Sequence, residues 1–137
     1  MFCQIIAGGS PARIVLEDEH VLAFLDRTPL FPGHVLLVSK VHVETLADLP
    51  DELIGPLFRQ ARRLSAVMET GLGAAGSFVA LNNRVSQSVP HLHVHIVPRN
   101  RKDGLKGFFW PRNTYADDAH ADEVAATLRR SLDGPST

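Results

Sequence analysis

Between Pro90 and Arg99 the chain reads Pro-His-Leu-His-Val-His-Ile-Val-Pro-Arg, with three histidines at alternate positions and apolar residues between them. On an extended strand, successive side chains point to opposite faces. This spacing therefore puts His91, His93 and His95 on one face and Leu92, Val94 and Ile96 on the other. Imidazole titrates near neutrality and serves as nucleophile, general acid or base, and metal ligand. Core packing alone is a costly use of such a row, because each buried ring brings a polar nitrogen that must find a partner. Neighbouring rings on one strand face are separated by roughly 6.5–7 Å along the backbone and can contact the same small group, such as a phosphate. The central ring, His93, is the natural attacker at phosphorus, while flanking groups stabilise the oxygens and the leaving group and divide one hard displacement into two. Gln87 and Ser88, just before the run, offer donors suited to an oxyanion, although an isolated Gln-Ser pair is ordinary turn chemistry. The competing chemistry is a metal ion held by the same three imidazoles.

These residues need a scaffold, and the apolar pattern supplies one. Phe2, Ile5 and Ile6 at helical spacing before Gly8-Gly9-Ser10-Pro11 predict a short helix ended by a turn. Residues 13–17 and 21–26 flank the polar Asp18-Glu19 and predict a hairpin, followed by a third strand over 34–39 that begins with His34. Leu49, Leu53, Leu57, Ala61, Leu64 and Met68 recur every three or four residues and predict the main helix, capped by Asp48 and stopped by Gly71. Pro56 lacks the amide that would bond Glu52, which predicts a bend or a late start near Gly55. A fourth strand is expected over 77–82. The connection 83–88 is too short for a crossover, so the histidine strand should pair antiparallel as the fifth. Val124, Leu128 and Leu132 line one side of a terminal helix over 117–132, and residues 133–137 read as a frayed tail.

At 137 residues and 45% hydrophobic, the chain fits one domain over 1–137. A net charge of −1 gives no global field for nucleic acid, and the clusters Arg59, Arg62, Arg63 and Arg99, Arg101, Lys102 are short enough to be solvated faces. With no run of about 18 apolar residues, a membrane span is not expected and the chain reads as cytoplasmic. Cys3, the single cysteine, agrees with a reducing compartment.

The run His91-Leu92-His93-Val94-His95-Ile96-Val97 resembles the signature of the histidine triad family. Phe2 to Ile6, Ile14 to Asp26, Pro32-Gly33-His34-Val35-Leu36-Leu37-Val38, Lys40-Val41-His42 and Gln87-Ser88-Val89 resemble the same family in the order it uses them. The resemblance implies an α+β fold with a five-stranded antiparallel sheet, one long helix, a short N-terminal helix and a C-terminal helix. It also implies a nucleotide hydrolase or transferase that forms a covalent nucleotidyl-histidine. Carried over by position, His93 is the nucleophile at the α-phosphorus, His95 contacts the phosphate and leaving group, and His91 and His34 order the imidazoles. Ser88 and Gln87 match the phosphate-contacting pair, and Asn82, with Asn83 as its alternative, matches an asparagine near the phosphates. Asp26 matches the acceptor of the ribose hydroxyls, and Phe2, Ile5 and Phe24 match the base pocket, although core packing explains these three apolar residues nearly as well. Substrates in reach are dinucleoside polyphosphates, nucleoside phosphoramidates and adenylyl sulfates, with no cofactor required in the site and room for a divalent cation carried by a polyphosphate. A homodimer is implied, and the apolar Ile54, Phe58 and Val67 on a second side of the long helix agree with it.

Some positions depart from the pattern. The 82–87 loop is short and lacks the usual glycines. Certain bacterial members hold a structural zinc through Cys-x-x-Cys plus histidines. Here Cys3 has no partner three residues earlier and only His42 matches a ligand position, so no structural zinc is expected. The segment Phe108-Phe109-Trp110 has no counterpart in the pattern and reads as a cover for the leaving group or as packing against a partner subunit. Two alternatives stay open: a metal-dependent hydrolase using His91, His93 and His95 as ligands, and a nucleotide-binding protein with little catalytic power.

Overall fold

The computed structural model describes residues 1–105 and 112–134; Phe108-Phe109-Trp110 and the last three residues of the tail lie outside them. The chain divides into two compact units, Met1–Asp103 and Gly104–Thr137. The first contains α1 (Phe2–Ile6), β1 (Ile14–Glu17), β2 (Val21–Leu25), β3 (Val35–Ser39), α2 (Asp51–Thr70), β4 (Gly76–Ala80) and β5 (His93–Arg99). The five strands form one antiparallel sheet in the order β1-β2-β3-β5-β4. In the second unit, α3 (Asp118–Leu132) starts at Asp117, whose carboxylate accepts from the His120 amide at 2.8 Å, so that an N-terminal amide without a helical partner is satisfied. Among the described residues no helix is long and apolar enough to cross a membrane.

Alternation sorts the sheet into two faces. Val21, Ala23, Val35, Leu37, Val94 and Ile96 are all buried and share one core with Leu53, Leu57, Ala61, Leu64 and Met68 of α2. Burial of side chains of this size stabilises the fold by roughly 1.5–3 kcal/mol each, which is what pins the register of β5 and its histidines. The opposite face carries Leu22, Phe24, Leu36 and Val38, closed over by Phe2 of α1. Across this second face Val38 pairs with His93 and Leu36 with His95, which sets two histidines beside a small apolar cluster.

Several boundaries differ from the sequence expectation for physical reasons. The helix α2 runs unbroken through Pro56. Glu52, whose carbonyl Pro56 cannot bond, is exposed in the first turn, where water can take it. Asp48 does not cap α2 but closes a single 3-10 turn, Leu46–Asp48, in which its carboxylate accepts from the Thr45 hydroxyl at 2.8 Å and the Thr45 amide at 3.2 Å. Gly71 ends α2 with ordinary helical angles, and the left-handed residue is Gly73, at φ +69°. The fourth strand ends at Ala80, two residues before the expected Asn82, and β5 starts at His93 rather than at His91. The register accounts for the late start: β3 ends at Ser39, and the last β3–β5 pair is Val38 with His93.

Candidate functional site

Four of the chain's histidines lie together on and beside the Phe2 face of the sheet, each with its proton assigned by a neighbour. His93 comes from β5 with its ring buried, and its Nδ1–H donates to the His91 main-chain carbonyl at 2.7 Å. A neutral imidazole carries one proton, so this bond leaves Nε2 of His93 as a bare lone pair. Phe2 packs edge-on against His93, with ring centroids 5.1 Å apart, and against Phe24 at 5.5 Å. These contacts fix the ring plane, leaving the position of Nε2 little freedom.

His34 and His95 form a relay. The Leu30 amide donates to Nδ1 of His34 at 3.1 Å, so the His34 proton sits on Nε2 and is donated to Nδ1 of His95 at 3.0 Å. That leaves His95 with its own proton on Nε2, a donor on a ring whose centroid is 5.0 Å from that of His93. Asp26 stands behind the relay, with Oδ2 3.7 Å from His34 Nε2; its Oδ1 accepts from the Thr28 amide at 3.0 Å. Burial pushes the His95 imidazolium pKa down to about 4, reinforced by His93 and His34 and opposed by Asp26. Burial likewise lowers His34, against the attraction of Asp26. Both rings are therefore neutral at pH 7, as the relay requires.

His91 shares the Phe2 face with His93 but lies outside the strand itself. It precedes β5, and its Nε2–H donates to the Ser39 carbonyl at 2.9 Å. This occupies the acceptor at the end of β3, while the ring stays beside Phe2, with centroids 5.9 Å apart. Its Nδ1 is then the free lone pair, 3.2 Å from Nδ1 of His42 and 3.7 Å from Sγ of Cys3, and the latter two are 3.5 Å apart. Burial lowers its pKa, with the Ser39 bond opposing and His42, His93 and the N-terminal amine adding.

Two groups of side chains among the described residues bring potential metal ligands within 4.8 Å of one another: Cys3, His42, His91 and Asp26, His34, His95. They differ in donor chemistry. Zinc bond lengths of about 2.3 Å to sulfur and 2.0–2.1 Å to nitrogen, at tetrahedral angles, place ligand atoms about 3.3–3.6 Å apart. The Cys3 group is close to that spacing, and the Ser39 carbonyl orients His91 as an outer-shell partner would. Cys3, His42 and His91 would thus supply three vertices of a tetrahedron, one short of the four-ligand set on which the expectation of no structural zinc rests. In the Asp26 group, a metal on His34 Nε2 would force the ring proton onto Nδ1, against the donating Leu30 amide. That group is built for a proton. The three triad histidines themselves form no such group among the described residues.

The remaining expected residues fall into two sets. Phe2 and Phe24 are buried and Ile5 is partly buried in the apolar cluster under the histidines. Asn82 and Ser88 are exposed on the 81–92 connection. Asn83 and Gln87 are engaged with the chain itself: Asn83 Oδ1 accepts from the Leu46 amide at 2.8 Å, Gln87 Nε2 donates to the Glu44 carbonyl at 2.6 Å, and Gln87 Oε1 accepts from the Arg84 amide at 2.8 Å. Sequence reasoning missed Leu30 and Ser39, which contribute main-chain atoms that no side-chain pattern marks.

Comparison with known proteins gives a consistent picture. A family model described as HIT domain matches residues 7–102. The chain is 37% identical over 126 residues to "Protein hit" of Bacillus subtilis, covering 90% of this chain and 86% of that protein. It is 30% identical over 139 residues to a protein named adenylylsulfatase HINT3 from Arabidopsis thaliana, covering 96% of this chain and 68% of that one. A crystal structure of a HIT family member from Bacillus subtilis superposes with a TM-score of 0.87 at 31% identity, covering 100% of this chain and 98% of that one.

Proposed function

The chain belongs to the HIT-domain family, and from that premise and the ring geometry we propose that it is a nucleotide hydrolase or transferase in which His93 Nε2 attacks the α-phosphorus of a nucleoside 5′-phosphoryl substrate. The observation that carries the reading is the pair of assigned tautomers: His93 with its proton held by the His91 carbonyl, and His95 with its proton kept on Nε2 by the His34 relay. The first presents a lone pair and the second a donor, on rings that neighbour each other.

In the first step an Nε2–P bond forms, the bond from phosphorus to the leaving group breaks, and its electron pair departs with the leaving group. His95 Nε2–H stabilises that developing charge by hydrogen bonding. The positive charge that His93 acquires is delocalised over a ring whose Nδ1–H already bonds a carbonyl, and that bond strengthens as the ring becomes cationic. In the second step water attacks phosphorus, the P–N bond breaks, its pair returns to Nε2, and the water proton leaves with the product phosphate or to solvent. Neither step needs a metal at His93; a divalent cation would enter only with a polyphosphate substrate. Zinc held by Cys3, His42 and His91 would tie the N-terminal segment to the loop carrying His91.

The reading assigns the ribose hydroxyls to Asp26, the base to the surface over Phe2, Ile5 and Phe24, and the phosphate oxygens to Ser88 and Asn82. It favours dinucleoside polyphosphates, nucleoside phosphoramidates and adenylyl sulfates as substrates, and a second copy of the chain as partner through the exposed Ile54, Phe58 and Val67 of α2. The test is a turnover panel over these three classes: at least one is cleaved, and His93→Ala abolishes cleavage. Retained activity in His93→Ala overturns the reading; tight nucleotide binding without turnover over the whole panel replaces it with the binding-protein alternative.

A further inference from the structure

The loop before the histidine strand holds two non-glycine residues in the left-handed region, Arg84 at φ +69° and Ser86 at φ +61°. Such residues cost of order 1–2 kcal/mol each and persist only where their surroundings hold them. Here the restraint comes from residues 43–46. The Leu92 amide donates to the Val43 carbonyl at 2.8 Å, Gln87 Nε2 to the Glu44 carbonyl at 2.6 Å, and the Leu46 amide to Asn83 Oδ1 at 2.8 Å. Residues 43–46 are firm in turn, since Thr45 is buried and shares two hydrogen bonds with Asp48. Gln87 also closes the loop on itself through the Arg84 amide at 2.8 Å, across both left-handed residues.

We propose that Asn83 and Gln87 are positioning residues, which clamp the 83–88 loop onto residues 43–46 and so fix where Ser88 stands relative to His93. The inference rests on the nucleotidyl-transfer reading and deepens it: Gln87 contributes through the loop rather than through the phosphate. The clamp does the work that a glycine-rich loop cannot do for itself, holding one conformation before substrate arrives.

The chemistry of the two side chains makes the clamp separable from phosphate binding. Asn83→Asp keeps an acceptor for the Leu46 amide, whereas Asn83→Leu removes it. Gln87→Glu keeps the acceptor for the Arg84 amide but cannot donate to the Glu44 carbonyl. In the substrate-free protein, Asn83→Leu and Gln87→Glu should speed amide hydrogen exchange over 84–88 at least 10-fold, and Asn83→Asp should not. With the best substrate of the panel, the first two should lower kcat about 10-fold or more, as expected when a group is misplaced by a fraction of an ångström. Asn83→Asp, which keeps the acceptor, should recover most of the kcat that Asn83→Leu loses. The double variant Asn83→Leu/Gln87→Glu should lose much less than the product of the single losses, because one clamp is broken twice. Unchanged exchange in Asn83→Leu and Gln87→Glu overturns the clamp. Faster exchange with parental kcat overturns its positioning role, and loss of activity in Asn83→Asp through a raised KM marks Asn83 as a phosphate ligand instead. If the parent cleaves nothing, the reading of function falls, while the exchange measurement still decides whether the clamp exists.

Discussion

Lowering the pH from 7.5 to 5.0 protonates histidines in the unfolded chain that the folded chain keeps neutral, and His95 should dominate the consequence. Its ordinary value of 6.5 falls to about 4 in the fold, by burial first and then by the neighbouring His93 and His34. A folded-state value below the unfolded one means that the unfolded chain binds the extra proton between the two. Stability is then fully present above pH 6.5 and falls as the pH drops toward 4. Integrated between pH 7.5 and 5.0, a shift of that size removes up to about 2 kcal/mol, which at the usual urea sensitivity of a small domain moves the midpoint by about 1 M. His34 and His91 are shifted in the same direction by burial and add with the same sign. Asp48, held below the usual carboxylate range by the Thr45 hydroxyl and amide, titrates under its ordinary 3.8 and stays out of this window. Urea unfolding of the parent and of His95→Gln at the two pH values isolates the effect. The parent should lose roughly 1.5–2 kcal/mol more than the variant on going to pH 5.0. Equal losses would show that His95 is not held neutral by the fold, and the relay argument would fail with it.

Two further predictions bear on the site. His34→Leu leaves Nδ1 of His95 without its donor, at a cost of about 1–3 kcal/mol in stability, together with a fall in kcat of about 10-fold or more; His34→Gln, which can accept from Leu30 and donate to His95, should recover part of both. Unchanged unfolding and kinetics in His34→Leu would remove the relay. Added Co²⁺ should produce a thiolate-to-metal charge-transfer band with one ion per chain, absent in Cys3→Ser and weakened in His42→Ala. A band that persists in Cys3→Ser would place the ion elsewhere.

Much of this architecture is written in local patterns. The two-residue alternation of the histidine run put Leu92, Val94 and Ile96 into the core, and the three-to-four spacing from Leu53 to Met68 marked the face of α2 that covers them. Patterns of this kind survive because burial selects for them. What the sequence did not disclose are features set by register and by main-chain atoms. His91 continues the alternation, but β3 has no residue left to pair with it, so its ring bonds the Ser39 carbonyl and joins Cys3 and His42. The tautomers of His34 and His93 depend on the Leu30 amide and the His91 carbonyl, which any residue type would supply. Gln87 has the donors of a phosphate contact, but nothing in its residue type or spacing marks the two side-chain hydrogen bonds it makes with Arg84 and Glu44 in the substrate-free protein.

The central claim is that His93 Nε2 becomes bonded to phosphorus. The most direct test is to mix the protein with a substrate radiolabelled at the α-phosphorus, quench within milliseconds into alkali, where phosphoramidate bonds survive, and locate the label by peptide mass spectrometry. One acid-labile nucleotidyl group on the peptide containing His93, formed at least as fast as turnover and absent in His93→Gln, is the result this account predicts. Turnover with no trapped adduct, or an adduct on His91 or His95 that survives in His93→Gln, would contradict it.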